Sequence, residues 1–533
     1  MTSTLAGTGR LVRLILRRDR VRLPIWILVL AGFPVFTASA LIELYASEAS
    51  RVQLAATFGS NPAFVAMLGP IYEPTIGALT AWRIGTVGAL LVGIMAVLGV
   101  VRHTRDEEET GRRELLGATV VGRHAPLTAA VAVMAGAGLL IGLLTTGGLI
   151  GVGLPTAGSV AYGLGFGAVA FAFAGVGALA AQLTQGGGSA RGLGIGLLGL
   201  AFMLRAAGDA GEIEMLGWMS PIGWFTRLRP FAGDRWPVLL LSLGLALFTV
   251  VAAYVIASRR DLGAGALPGR VGPAEAGPGL GSAFGLAWRL QRGALLGWTA
   301  GLALVSALYG SIANNVDDLL ADNPQLGDIL EGVIGGAQDL RDAFFSFSAG
   351  ILALIASAYS IRTALTLRAE EEELRAELVL ATATSRSRWT ASHLFFALVG
   401  PALMLGAGGL VMGTVYGAAS GDVAGQLPRV LATAMVQLAP VWVLAGASLV
   451  LFGILPRYTT LAWAALVGCL VCGQLGQILQ FPQWLLNLSP FTHVSAPSVS
   501  DIGALPIVIL LTVALTFIAM GLAGFRRRDL ASV

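Results

Sequence analysis

The chain has 533 residues, of which 56% are hydrophobic and only 12% charged, with a mean hydropathy of +0.78. A soluble protein of this size carries about 25% charged residues, so a water-soluble globular chain is excluded. The net charge of +4 comes from 34 arginines and no lysine against 30 acidic residues; the arginines sit beside apolar runs, where they set topology rather than hold nucleic acid.

Residues 9–22 predict an amphipathic helix lying in the membrane interface. Arg10, Arg13, Arg17 and Arg20 form one stripe, and Leu11, Val12, Ile15 and Leu16 form the other. Twelve apolar runs follow, most of them about 18–25 residues, enough to cross a hydrocarbon core about 30 Å thick. They are 24–44, 82–101, 127–150, 160–182, 192–206, 237–257, 294–315, 346–366, 390–415, 429–452, 459–480 and 504–524. The first reads as a retained span despite Ala38-Ser39-Ala40, because the basic region before it is too long for a signal peptide. With the N-terminus inside, the inside loops take 26 Arg against 14 acidic residues, and the outside loops take 8 against 16. This bias places both termini in the cytoplasm. Arginine in place of lysine, with abundant Ala and 72 Gly, points to a high-GC genome such as an actinobacterium's.

The two halves repeat each other. Arg105 to Arg123 reads RDEEETGRRELLGATVVGR and Arg368 to Arg386 reads RAEEEELRAELVLATATSR, at an offset of 263 without a gap. Arg17 and Trp26 pair with Arg289 and Trp298, Asn61-Pro62 with Asn323-Pro324, and Ser220-Pro221 with Ser489-Pro490. Arg259-Arg260-Asp261-Leu262 pairs with Arg527-Arg528-Asp529-Leu530. Six spans per half is an even number, so the halves face the same way as a parallel repeat. The expected organisation is a first six-span half over 1–262, a Gly/Pro-rich cytoplasmic linker over 263–281 and a second half over 282–533. The simplest translocation path runs between the halves. The fold class is an all-α integral membrane protein.

Acid clusters in cytoplasmic loops oppose the arginine trend, and here they occur twice in register. The first copy carries Glu107, Glu108, Glu109 and Glu114, and the second Glu370, Glu371, Glu372, Glu373 and Glu377. One reading is a solvated helix with i,i+4 pairs, Glu108 with Arg112 and Glu371 with Arg375. The favoured reading is a docking helix, acidic on one side and apolar on the other through Leu115, Leu116, Leu378 and Val379.

These segments resemble the permease subunits of ABC-2 type transporters. Gly111, Glu114, Leu115-Leu116, Ala118-Thr119 and Arg123 match that family's segment in the first half, and Glu377, Leu378, Ala381-Thr382 and Ser385-Arg386 in the second. Leu374 stands where the family has glycine, which puts the second half's docking in question. The fused two-half form is most similar to actinobacterial exporters of polyketide antibiotics, the tetronasin type. The resemblance implies a coupling helix in each acidic segment, contacting one of two cytoplasmic ATPase subunits that bind the ATP and Mg. It also implies short re-entrant outer helices before each half's last span, at 217–229 and 486–494. The cargo it implies is a hydrophobic or amphiphilic, drug-like compound moved outward across the plasma membrane.

The chain itself carries no cofactor motif. A P-loop needs a lysine, and there is none. His103, His124, His393 and His493 are scattered without metal spacing. Cys469 and Cys472 lie in an apolar run and read as small packing residues. No carboxylate lies well inside a span, which argues against an ion-coupled secondary carrier. That carrier, a lipid or envelope-precursor permease and a membrane anchor remain the alternatives. Met95, Met203, Phe347, Tyr359, Gln474 and Gln477 stand at positions that line the path in related permeases, and each reads equally as ordinary helix packing. The GxxxG pairs Gly163/Gly167, Gly192/Gly196 and Gly409/Gly413 predict close helix contacts. The acidic outer loop 314–342 reads either as a cap over the exit or as a solubilising surface.

Overall fold

A computed structural model describes residues 4–59, 62–113, 119–261, 263–267, 275, 277–313, 340–475, 482–494 and 503–528. All regular structure in them is helical, and eleven helical stretches are long and apolar enough to cross a membrane. The twelfth expected span coincides with Leu461–Leu475, an apolar helix too short to count; the rest of 459–480 lies outside the described residues. The chain divides into two compact units, Met1–Val271 and Gly272–Val533.

In unit 1, α1 (Thr8–Arg18) buries Leu11 and Ile15 and leads into α2 (Arg22–Leu44). The turn between them follows from Pro24, which has no N–H to donate to the Arg20 carbonyl. Two helices that no apolar run predicts, α3 (Glu48–Gly59) and α4 (Pro62–Leu68), then form a small separate core. In it Leu54 and Leu68 pack with Leu41, Leu79 and Trp82. The long α5 (Ile76–Glu109) is followed by α6 (Ala125–Gly151), α7 (Thr156–Leu183) and α8 (Gly187–Ala210). The short α9 (Glu214–Trp218) and α10 (Pro221–Arg227) precede α11 (Leu239–Arg259). Ser220-Pro221 starts α10: Ser220 Oγ caps it by accepting from Gly223 N at 2.9 Å and donates to the Ala201 carbonyl of α8 at 2.5 Å.

Among the described residues, unit 2 follows the same order of spans with local differences. Leu296 replaces Pro24, and the interfacial helix and first span fuse into one helix, α12 (Ala283–Ala313). After α13 (Leu340–Glu372), α14 (Arg375–Leu380) and α15 (Arg386–Ser420), the counterpart of α7 is split into α16 (Val423–Val436) and α17 (Leu438–Ile454). Pro440 cannot donate to the carbonyl of Val436, which accounts for the break at Gln437. Leu461–Leu475 (α18), Gln483–Leu486 (α19), a 3₁₀ turn Pro490–Val494 and α20 (Ala504–Arg527) complete the unit. The expected outer helices at 217–229 and 486–494 are therefore short helical segments. Of the acidic loop 314–342, residues 314–339 lie outside the described residues; Asp342 is ion-paired with Arg429.

The glycine pairs divide. A Cβ on Gly163 would lie 2.3 Å from the Gly142 carbonyl oxygen, and one on Gly413 3.0 Å from Leu427 Cα. Gly192 and Gly196 face open space among the described residues, so the expected contact is not seen there. Gly163→Val should therefore abolish folded protein by size-exclusion monodispersity, and Gly192→Ala should leave it unchanged. Equal behaviour of the two variants would contradict the packing.

Candidate functional site: the duplicated acidic segments

At a rise of about 1.5 Å per residue, α5 and α13 are each roughly 50 Å long, well beyond a hydrocarbon core of about 30 Å. Asp106 to Glu109 and Glu370 to Glu372 thus occupy the last turns of the span helices, not a separate loop. The i,i+4 pairs expected from sequence do not form. Arg112 meets Glu107 at 3.6 Å, and Arg375 meets Glu370 at 3.1 Å and also pairs with Glu373.

Glu108 and Glu371 turn inward instead. The Glu108 side chain is 2% exposed and is held by Arg105 at 2.5 Å, Arg260 at 2.8 Å and Arg113. Arg105 is equally buried and donates to the carbonyls of Gln185, Gly263 and Ala264. Burial and the neighbouring guanidiniums of Arg260, Arg105 and Arg123 pull Arg113 down to about 10, so it stays charged at neutral pH. Glu371 repeats the arrangement with Arg528 at 2.5 Å and Arg368 at 3.6 Å. Arg123 closes the first clamp by donating to the Ala257 and Arg260 carbonyls at the end of α11, and Arg386 donates to the Arg528 carbonyl at the end of α20. A guanidinium on the last carbonyls of a helix satisfies both the orphan acceptors and the negative end of the dipole. The repeated Arg, Glu and Arg residues therefore tie each unit's last span to the end of its second.

The other carboxylates differ in role. Glu107 pairs with Arg18 of α1 at 2.8 Å. Glu109 accepts from Gly187 N at 2.8 Å, at the start of α8. Glu114, Leu115 and Leu116 lie outside the described residues. In unit 2, Glu370 and Glu372 pair with Arg375 and Arg368, while Glu377 is exposed. On α14, Ala376 is 2% exposed and Leu378 is 75% exposed. An apolar side chain is thus held outward beside an acidic one.

Gly111 and Leu374 occupy the same turn. Gly111 N donates to Glu108 O, and Leu374 N to Glu371 O, both at 3.1 Å, with φ of 70° and 59°. Leucine therefore adopts the glycine conformation, at a cost of about 1–2 kcal/mol. Leu374→Gly should raise stability by about 1 kcal/mol in denaturant unfolding, the larger backbone freedom of unfolded glycine offsetting part of the gain. A loss would contradict this account of the turn.

Met95 is buried in the unit 1 core and Met203 is half-buried. Phe347 is exposed, and Tyr359 is buried against Trp298. Gln474 is on α18, and Gln477 lies outside the described residues. Cys469 and Cys472 are free thiols, Cys469 in the unit 2 core.

One site escaped the sequence reading. His103 Nε2 lies 2.6 Å from Asp19 Oδ2, both buried, with Arg102 at 3.3 Å. In unit 2 the same positions hold Gln291 and Thr366, whose side chains lie 3.4 Å apart. The available signal was the repeat register, which aligns Asp19 with Gln291 and His103 with Thr366.

Among the described residues the chain is all helical, with eleven stretches long and apolar enough to cross a membrane, which defines a multi-pass membrane protein. Residues 280–526 match the family model described as the C-terminal domain of the multidrug efflux system permease Rv1217c. The chain is 43% identical over 529 residues to the multidrug efflux system permease protein Rv1217c of Mycobacterium tuberculosis, covering 99% of this chain and 96% of that protein. The chain belongs to this permease family.

Proposed function

We propose that the chain is the membrane-spanning subunit of an ABC-2 type exporter in its fused two-half form. It expels hydrophobic or amphiphilic, drug-like compounds across the bacterial plasma membrane, with both termini cytoplasmic. Two copies of a separate ATPase subunit bind ATP and Mg and dock on the acidic segments. ATP-driven closure of the ATPase pair shifts the permease because the two states contact those segments differently. The observation that carries this reading is Leu378, three-quarters exposed beside Glu377 on a short helix anchored by Ala376. The relative's description as a multidrug efflux permease supports the cargo class.

Affinity purification of the tagged chain from its host in mild detergent tests it. Two copies of a Walker-motif protein per chain, with ATP hydrolysis, are expected. A chain that moves substrate with no nucleotidase present would sink the reading. A proton-coupled carrier is the second reading, favoured only by the buried Asp19–His103 pair. It requires Asp19→Asn to abolish flux driven by a pH gradient.

A further inference from the structure

The end of unit 1 opposite the Glu108 clamp holds a cleft. Along α5 the stretch from Trp82 to Glu108 measures roughly 39 Å at the helical rise. The cleft is lined by Leu68, Tyr72, Trp82, Phe225, Thr226 and Arg229, among others. Trp82 is 6% exposed, and its indole N–H, shut off from solvent, has no acceptor among the described residues. The Arg229 guanidinium lies 4.2 Å over the Tyr72 ring, and its Nε–H is likewise without an acceptor. Tyr72 also interacts with Asp209 and Arg227. Arg205 and Arg227 share that one carboxylate, at 3.5 and 3.3 Å, and Arg205 also donates to the carbonyls of Val65, Ala66 and Met67. Two guanidiniums thus share one carboxylate while Arg229 lies over Tyr72, and the shielded N–H groups of Trp82 Nε1, Arg205 Nε, Arg227 Nη1 and Arg229 Nε have no hydrogen-bond acceptor among the described residues.

The loop that presents Arg229 is held under strain. Arg229, Phe231 and Asp234 all have left-handed φ, at 50°, 63° and 28°. Phe231 N donates to Asp234 Oδ1 at 2.9 Å. The Phe231 ring fills a slot between Gly77 and Gly158, where a Cβ would come within 2.5 and 2.2 Å of it. Backbone strain of this kind persists only where the surroundings over-determine it, and it concentrates at ligand clamps. A buried donor without an acceptor is unfavourable, and the described residues offer these N–H groups no oxygen. The repeat register places Phe345 opposite Trp82, and Gln474, Ile478, Ala496 and Ser498 opposite Arg205, Asp209, Arg227 and Arg229. The donor set is therefore specific to the first half.

We propose that this cleft binds the acidic head group, carboxylate or phosphate, of an amphiphilic compound. Its role as part of the export path rests on the function proposed above; the binding itself does not. The test uses the purified full-length chain in lipid nanodiscs without any ATPase, titrated with oleate, oleyl alcohol and inorganic phosphate. Oleate should bind about tenfold or more tighter than oleyl alcohol, the difference expected for a charge-assisted hydrogen bond. Trp82→Phe, which installs the other half's residue type, should weaken oleate several-fold and leave oleyl alcohol unchanged. Arg229→Gln should weaken oleate about tenfold or more. Equal affinities for acid and alcohol, a Trp82→Phe chain that binds oleate like the parent, or full displacement by equimolar inorganic phosphate would overturn the proposal. A chain that binds oleate as expected but shows no ATP-driven export would sink the exporter reading and leave this one standing.

Discussion

Glu108→Gln is expected to destabilise the chain by about 3–5 kcal/mol, the cost of leaving buried charge without its counter-ion. Arg105, Arg113 and Arg260 all converge on this one carboxylate, whose side chain is 2% exposed. Its loss leaves buried guanidiniums uncompensated and frees the end of α11 from α5. Glu371→Gln is expected to do the same in unit 2, less severely, because fewer guanidiniums depend on it. Glu107→Gln serves as the control. Its partner Arg18 is partly exposed, and exposed pairs contribute under about 1 kcal/mol. Thermal unfolding of the three variants in one detergent should rank Glu108→Gln lowest and Glu107→Gln near the parent. Similar losses for Glu107 and Glu108 would show that the clamp is not what fixes the segment.

Leu378→Asp should abolish coupled transport while leaving the folded chain intact. The side chain is 75% exposed, so its replacement removes little from the fold. A central apolar contact in a protein interface, by contrast, typically costs 2 kcal/mol or more when lost, roughly a thirtyfold change in affinity. ATPase retention on the tagged chain and ATP-dependent transport should fall together. A Leu378→Asp chain with full ATPase retention would place the docking surface elsewhere. Glu109 is the poorer target for such a test, because its carboxylate holds Gly187 N at the start of α8. A charge reversal there disturbs α8 as well as any partner.

Much of the membrane architecture was legible because a span must be apolar over its whole length and arginine marks its inner end. Among the described residues, eleven helical stretches long enough to span fall where apolar runs predict them. What the sequence could not show was the partner of each charge. Local spacing suggested Glu108 with Arg112, yet Glu108 binds Arg260, 152 positions away, and Glu371 binds Arg528, 157 positions away. The relevant signal was present in the repeat, where Arg260 and Arg528 recur with the acidic segments. Pair spacing on one helix says nothing about which neighbouring helix brings a stronger partner. The short helices α3 and α4 escape prediction for a related reason. They are not long apolar runs, although Leu54, Phe58, Phe64 and Leu68 provide an apolar face that packs against Leu41, Leu79 and Trp82. His103 seemed one of four scattered histidines until the fold set it against Asp19.

The most direct measurement is uptake of a fluorescent amphiphilic drug into inside-out proteoliposomes containing the chain, with and without its co-purified ATPase and with a protonophore in a parallel sample. The exporter account predicts accumulation that needs both ATPase and ATP, persists with the protonophore, and disappears in Leu378→Asp. Accumulation by the chain alone, driven by a pH gradient and lost in Asp19→Asn, would contradict it.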